Sequence, residues 1–218
     1  MSRKTYVPAA GSAWLLPFYD PFTKVLGVES AHRQLIAQAG ISPGGRVLEI
    51  GCGTGNLAIL AKRLYPAAEV VGIDPDPKAL ARARGKAVRN EAPVQFDSGF
   101  CEELPYPDGS FDRVLSAFMF HHLQPDAKKP ALLEIRRVLR SPGSLHLVDF
   151  AGGNDSSRGL LAHLFHPSHG SRFHNTVLTL MQESGFAEAR EVAQQAVILG
   201  RIAYYRASVS ASSVPSTV

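Results

Sequence analysis

Apolar residues in this chain fall into short dense runs, each followed by a stretch of helical period. Val47, Leu48 and Ile50 form a run of strand type, and Leu57, Ile59, Leu60 and Leu64 follow at roughly helical spacing. The alternation then repeats. Strands are expected over about 69–73, 94–96, 111–116 and 144–150, with helices over 77–88 and 126–139. Pro77 suits a first helical turn, Pro107-Asp108-Gly109 marks a turn before the fourth strand, and Pro142-Gly143 turns the chain into the fifth. An earlier helix, about 29–38, can end at Gly40. A helix near 176–184 and two strands, about 188–193 and 196–206, close the pattern. Strands alternating with helices predict an α/β fold, a parallel sheet with right-handed crossovers.

The first strand runs straight into glycines. Residues 46–56 read Arg-Val-Leu-Glu-Ile-Gly-Cys-Gly-Thr-Gly-Asn. Glycines here let backbone N–H groups approach a ligand, because no Cβ holds it away. The dinucleotide fingerprint would be G-x-G-x-x-G. Here the third glycine, Gly55, comes one residue early, and Asn56 stands where the fingerprint wants it. Glu49 precedes Gly51 by two residues; its carboxylate repels a pyrophosphate but suits a ligand carrying an ammonium and a sulfonium. Nineteen residues after Gly55, the second strand ends on Asp74, placed to accept hydrogen bonds from two ribose hydroxyls.

Glu49, the Gly51-Cys52-Gly53-Thr54-Gly55 turn and Asp74 together resemble the class I S-adenosylmethionine (SAM) methyltransferases. The resemblance runs from about Arg46 to Phe150. It continues in Leu104-Pro-Tyr-Pro-Asp-Gly-Ser-Phe-Asp112, Phe120-His-His-Leu123 and Glu134-Ile-Arg-Arg-Val-Leu-Arg-Ser-Pro-Gly143, a set similar to the quinone and small-molecule branch. It implies a Rossmann-like sheet of seven mostly parallel strands with helices on both faces, in the order 3-2-1-4-5-7-6. It implies SAM as cofactor and S-adenosylhomocysteine (SAH) as product. The cofactor set carried over is Glu49, Gly51, Cys52, Gly53, Gly55, Asn56, Asp74, Pro75, Phe100, Cys101 and Ser116, with Pro75 shaping the adenine pocket. One departure stands out. The family often shows Gly-Asp-Ala-Glu where this chain has Gly99-Phe-Cys-Glu102. Phe100 therefore replaces the aspartate that takes the adenine amino group; a ring can pack on adenine but cannot accept its N6 hydrogen bond. That contact falls to a backbone carbonyl or Glu102, unless Phe100 is a plain core residue.

Methyl transfer from a sulfonium is an in-line displacement with a neutral leaving group. Alignment and exclusion of water carry much of it, and a base matters only where the acceptor must lose a proton. No catalytic triad is therefore expected. His121 and His122 follow the fourth strand, where open α/β sheets bind ligands, and are the candidate catalytic residues, as base or as acceptor-orienting donor. Asp149, ending the fifth strand, touches substrate or merely finishes the strand. His163, His166 and His169 are spaced by three, but Pro167 breaks any helix that would align them and no cysteine lies nearby, so no metal is expected.

Around this core the expected organisation is an N-terminal arm and helix, 1–45, covering the active site; a methyltransferase domain, 46–206, with a lid insertion at about 151–172; and a disordered tail, 207–218. Trp14, Phe18, Tyr19 and Phe22 in the arm line an apolar acceptor pocket, touch a membrane interface, or pack on the core.

Composition narrows the classes. With 218 residues, 45% hydrophobic and 19% charged, the chain reads as one globular domain. A net charge of +4 is mild and its basic residues are scattered, which argues against nucleic acid as partner. Two cysteines make no disulfide framework, and no run approaches the roughly 18–20 apolar residues of a membrane span. The N-terminus lacks an apolar signal core. The expectation is a cytoplasmic monomer or homodimer, with peripheral membrane contact open. Its acceptor is a small, apolar or lipid-like molecule. The rival readings are a catalytically weak SAM-binding module and an NAD-dependent oxidoreductase.

Overall fold

The computed structural model describes residues 28–151, 170–197 and 200–210. Helix α1 (Val28–Ala39) leads into strand β1 (Arg46–Ile50), helix α2 (Asn56–Leu64), β2 (Glu69–Asp74), α3 (Pro77–Arg89) and β3 (Gln95–Ser98). Then come β4 (Phe111–Ala117), a 3-10 turn (Phe120–His122), α4 (Pro125–Val138), β5 (Leu139–Phe150), α5 (Gly170–Glu183), β6 (Ala187–Val197) and β7 (Gly200–Ser208). The seven strands form one sheet in the order β3-β2-β1-β4-β5-β7-β6. Strands β1 to β5 run parallel to one another; β7 runs antiparallel to both β5 and β6. The expected strand order is the one observed.

Alternation along each strand feeds two cores. Val47 and Leu115 join a cluster with Leu35, Ile36, Leu57 and Leu80 on the face of α1, α2 and α3. Leu48, Ile50 and Val114 point to the opposite face, where Leu132 and Ile135 of α4 and Val177 and Met181 of α5 meet them. A parallel sheet covered on both sides must be apolar on both, and the dense runs in the sequence reflect that. Helix caps follow local chemistry: Asp76 accepts a hydrogen bond from the Lys78 N–H at 2.8 Å and Pro77 opens α3. Gly40, with φ of 56°, follows α1 as expected.

Four boundaries differ from expectation. Strand β5 begins at Leu139, because Leu139 pairs with Phe111 before an irregularity at Pro142-Gly143 restores pairing at Ser144. The β6–β7 hairpin turns after Val197, not near residue 194. The residue at its re-entry is Gly200, whose φ of 126° only glycine takes readily. Ala207 and Ser208, expected in the tail, belong to β7, since Ala207 is buried opposite Leu145 and Ser208 pairs with Ser144. Helix α5 begins at Gly170, inside the segment expected to be a lid. The aromatic arm, the remaining lid and His163, His166 and His169 lie outside the described residues.

Candidate functional site

A cleft opens at the carboxyl ends of β1, β2 and β4, the place where parallel α/β sheets bind ligands. One end is built by the glycine turn. Gly51, Gly53 and Gly55 all have positive φ, at 68°, 50° and 77°. The N–H groups of Gly51 and Cys52 donate to the Ile73 carbonyl at 2.9 and 3.0 Å, and Gly55 N–H donates to the Cys52 carbonyl at 2.7 Å. Asp74 fixes the turn from the side: its Oδ2 accepts from Gly53 N–H at 2.8 Å and its Oδ1 from Asp76 N–H at 2.9 Å. Each oxygen keeps a second lone pair for a ligand hydroxyl. Burial pushes the Asp74 carboxyl above its usual range, against the pull of those two N–H groups.

Glu49 is buried and lines the same end. It shares Val47's face of β1, so it reaches α2, where Oε2 accepts from Ala58 N–H at 2.7 Å. That N–H is one of the orphan donors of the helix start. A pyrophosphate needs those donors, so the carboxylate stands in its place; this weighs against a dinucleotide. Burial lifts the Glu49 carboxyl to about 8, with the Ala58 N–H opposing, Asp74 adding to the rise and Lys86 opposing. Lys86 itself donates to Asn56 Oδ1 at 2.6 Å and Thr54 Oγ1 at 3.2 Å, tying α3 to the turn.

Of the residues expected to hold a cofactor, Glu49, Gly51, Cys52, Gly53, Asn56, Asp74, Pro75, Phe100 and Cys101 line the cleft. Gly55 and Ser116 do not. A Cβ at Gly55 would meet Phe96 at 2.8 Å and Ala83 at 3.0 Å, so Gly55 serves the packing of the turn on α3 and β3. Ser116 lies on the face of Val114 and is buried with no hydrogen-bond partner for its Oγ, whereas Ala117 next to it lines the cleft. One residue along a strand reverses the face. Phe100 is half-buried in the cleft wall, which weighs against the core-residue reading. Glu102 beside it also lines the cleft, and Asp97 is committed elsewhere, accepting from Tyr106 Oη at 2.9 Å.

The other end is made by α1, the β4 tip and the start of α4: Val28, His32, Phe118, Met119, His122 and Leu123. Phe118 has φ of 53°, a left-handed conformation that a bulky residue holds only at a cost of order 1–3 kcal/mol. It sets the Phe118 ring against His32 (6.3 Å between centroids) and Phe150 (5.4 Å). Met119 lies directly against Gly51, filling the space that a Cβ there would take.

The two candidate histidines are brought together but differ. His121 Nδ1 lies 2.6 Å from Asp149 Oδ1, and its backbone N–H donates to Oδ2 at 3.0 Å. Asp149 is fully buried, so it holds His121 and does not line the cleft. His122 packs on His121 with centroids 3.9 Å apart, and of the two it is His122 that lines the cleft. Lys128 of α4 lies 5.6 Å over the Phe120 ring; partial burial lowers its ammonium while Asp149 draws it back up. Sequence reasoning missed His32, whose only signal is a polar residue on the apolar stripe of α1 with Ala31, Leu35 and Ile36. Among the described residues no group of three His, Cys, Asp or Glu side chains is placed to hold a metal ion, and no helix is long and apolar enough to cross a membrane.

A family model of a methyltransferase domain matches residues 47–143. A demethylmenaquinone methyltransferase of Deinococcus radiodurans is 38% identical over 141 residues, 63% of this chain and 58% of that protein. A protein of the same name from Thermus thermophilus is 40% identical over 120 residues, 55% of this chain and 54% of that one. The chain thus spans a little over half the length of these relatives. Among solved structures, phosphoethanolamine N-methyltransferase 2 of Haemonchus contortus, in complex with SAM, superposes with a TM-score of 0.77 over 93% of this chain and 58% of that one. Its 14% identity makes this a likeness of fold.

Proposed function

We propose, from the premise that this chain belongs to the SAM-dependent methyltransferase family, that it methylates a small apolar acceptor bearing a hydroxylated ring. The residues present fit the family's cofactor. Asp74 has lone pairs for ribose hydroxyls, Phe100 offers a face for adenine with Glu102 beside it, and Glu49 offers a carboxylate for an ammonium. The cofactor supplies a methyl group on a sulfonium, so the sulfur leaves as a neutral thioether. What the protein must add is alignment, dryness and an outlet for the acceptor's proton.

The observation that carries the acceptor reading is the division of the cleft. Its acidic residues, Glu49, Asp74 and Glu102, belong to the β1–β3 end. At the α1–β4 end the described lining is Val28, Phe118, Met119, Leu123 and Ala127, with His32, His122 and Gln124 as the polar groups. An alkylammonium acceptor would be desolvated there with no carboxylate among the described lining residues to pair it; a neutral ring would be accommodated. The two relatives named for demethylmenaquinone methylation support the same class. In this reading His122, resting on the Asp149-held His121, takes the hydroxyl proton as the acceptor is methylated.

The experiment is methyl transfer from tritiated SAM to 1,4-naphthalenediol and, in parallel, to phosphoethanolamine. Label in the naphthalene fraction alone is the expected result. Label in the amine alone would overturn the acceptor class. Binding of SAM with no transfer to either would favour a catalytically weak binding module.

A further inference from the structure

Most polar groups around the cleft already have work to do. Glu49 and Asp74 hold the glycine turn, and Asp149 holds His121. His32 is different. It is 8% exposed, lines the α1–β4 end of the cleft, and its imidazole makes no hydrogen bond to any other described residue. Its one ring contact is the tilted packing on Phe118. Buried imidazoles are normally hydrogen-bonded, since an unmade bond costs desolvation with no return. The other deeply buried histidine, His146, pairs Nε2 with Ser144 Oγ at 2.9 Å, leaves Nδ1 without a partner among the described residues, and lines no part of the cleft.

The stripe of α1 explains how the ring is placed. Ala31, His32, Leu35, Ile36 and Ala39 form the buried face of the helix, so the position is one where an apolar residue would serve packing better. Burial lowers the imidazolium to about 4, the exposed Glu29 opposing, so at neutral pH the ring carries one N–H donor and one bare nitrogen acceptor. Such a ring repels neither an apolar ligand nor a hydroxyl, and it can give a bond to oxygen or take one from O–H. The strained Phe118 backbone fixes the flat wall beside it.

We propose that His32 is the specificity residue for the acceptor, forming the hydrogen bond that selects a ring hydroxyl over an isosteric methyl group at the α1–β4 end of the cleft. This rests on the acceptor reading above and adds a role at a residue distant from the His121–His122 pair in sequence. His32 positions the ring and takes no proton in the transfer. It acts on which acceptors bind, and His122 acts on how fast they react.

The test uses the full chain saturated with SAH and two probes of one shape, 1-naphthol and 1-methylnaphthalene, titrated by fluorescence. The wild type should prefer 1-naphthol by about tenfold, the worth of one well-made hydrogen bond. His32→Phe should bind the two probes equally, and His32→Gln, which keeps a donor and an acceptor, should recover part of the preference. SAH affinity by calorimetry should stay within about twofold in both variants, because His32 stands at the opposite end from the turn. Should His32→Phe fail to fold, the same preference is read in His32→Gln and His32→Leu. A preference that survives His32→Phe or His32→Leu overturns the proposal while leaving the apolar acceptor intact. Equal binding of the two probes by wild type overturns it in the same way. Binding of neither probe overturns both the acceptor reading and the role of His32.

Discussion

The two ends of the cleft are built by different means. At the β1–β2 end, main-chain hydrogen bonds and two acids, Glu49 and Asp74, fix a turn before any ligand arrives. At the α1–β4 end, rings rest on rings: His32 on Phe118, Phe118 on Phe150, Phe150 on His121 and His121 on His122. Short backbone bonds tolerate little variation in what they hold, whereas ring packing tolerates much as long as volume is kept. The first end suits a ligand that never changes, the second one that differs among relatives with the same fold.

That contrast can be broken by substitutions that should act at one end alone. The largest effect is expected at the histidines. His122→Ala should slow methyl transfer by about a hundredfold or more if it takes the proton, with SAM affinity by calorimetry unchanged. His121→Ala should lower the rate less, through loss of the support beneath His122. Full activity in both single variants and the double would remove the histidines from the reaction.

Asp74→Ala should weaken SAM binding roughly ten- to hundredfold, for loss of charge-assisted bonds worth about 1.5–3 kcal/mol. Binding of 1-naphthol should be unaffected. Because Asp74 also ties Gly53, Asp74→Asn separates the two roles: its one amide oxygen can still accept from Gly53 N–H while the charge is gone. Unchanged SAM affinity in a folded Asp74→Ala protein would remove the ribose assignment.

Glu49 gives a pH signature. With its carboxyl lifted to about 8, the free protein holds a proton there at neutral pH. An ammonium ligand favours the charged form, so SAM affinity should fall as pH drops below 8, by at most about tenfold per unit. Glu49→Gln should flatten that slope. The stability effect has a definite sign. The folded carboxyl keeps a proton that the unfolded chain, at its ordinary 4.5, releases, so this group's contribution to stability falls as pH climbs from 4.5 towards 8. Glu49→Gln should therefore gain in melting temperature relative to wild type at pH 8 compared with pH 5.

The smallest effect is expected at Phe100. Phe100→Ala should weaken SAM by about two- to tenfold through loss of aromatic packing, with the melting temperature little changed because the ring is only half-buried. A collapse of stability would instead make it a core residue. Phe100→Asp tests whether an N6 acceptor restores what the family usually has; tighter binding is the expected outcome.

The sheet and the glycine end were legible in the sequence because their signals are local. A strand run, three glycines and an acid at the next strand tip lie within thirty residues of one another. The ring end was less legible because its contacts are distant. Asp149 meets His121 from 28 residues away, and His32 faces β4 from a helix that carries no motif. Ser116 and Gly55 show a finer failure. The motif marks a neighbourhood, but which side of a strand or turn faces the ligand depends on register. Strand alternation would have pointed to Ala117, since Val114 and Ser116 share one face and Leu115 and Ala117 the other.

The bonds of the glycine turn have one more consequence. Gly51, Cys52, Gly53 and Gly55 each donate a main-chain hydrogen bond inside the fold, without help from a ligand. A mould already set gives up little conformational entropy when it is filled. Nucleoside capture at that end should therefore be fast, favourable in enthalpy and almost silent in amide hydrogen exchange.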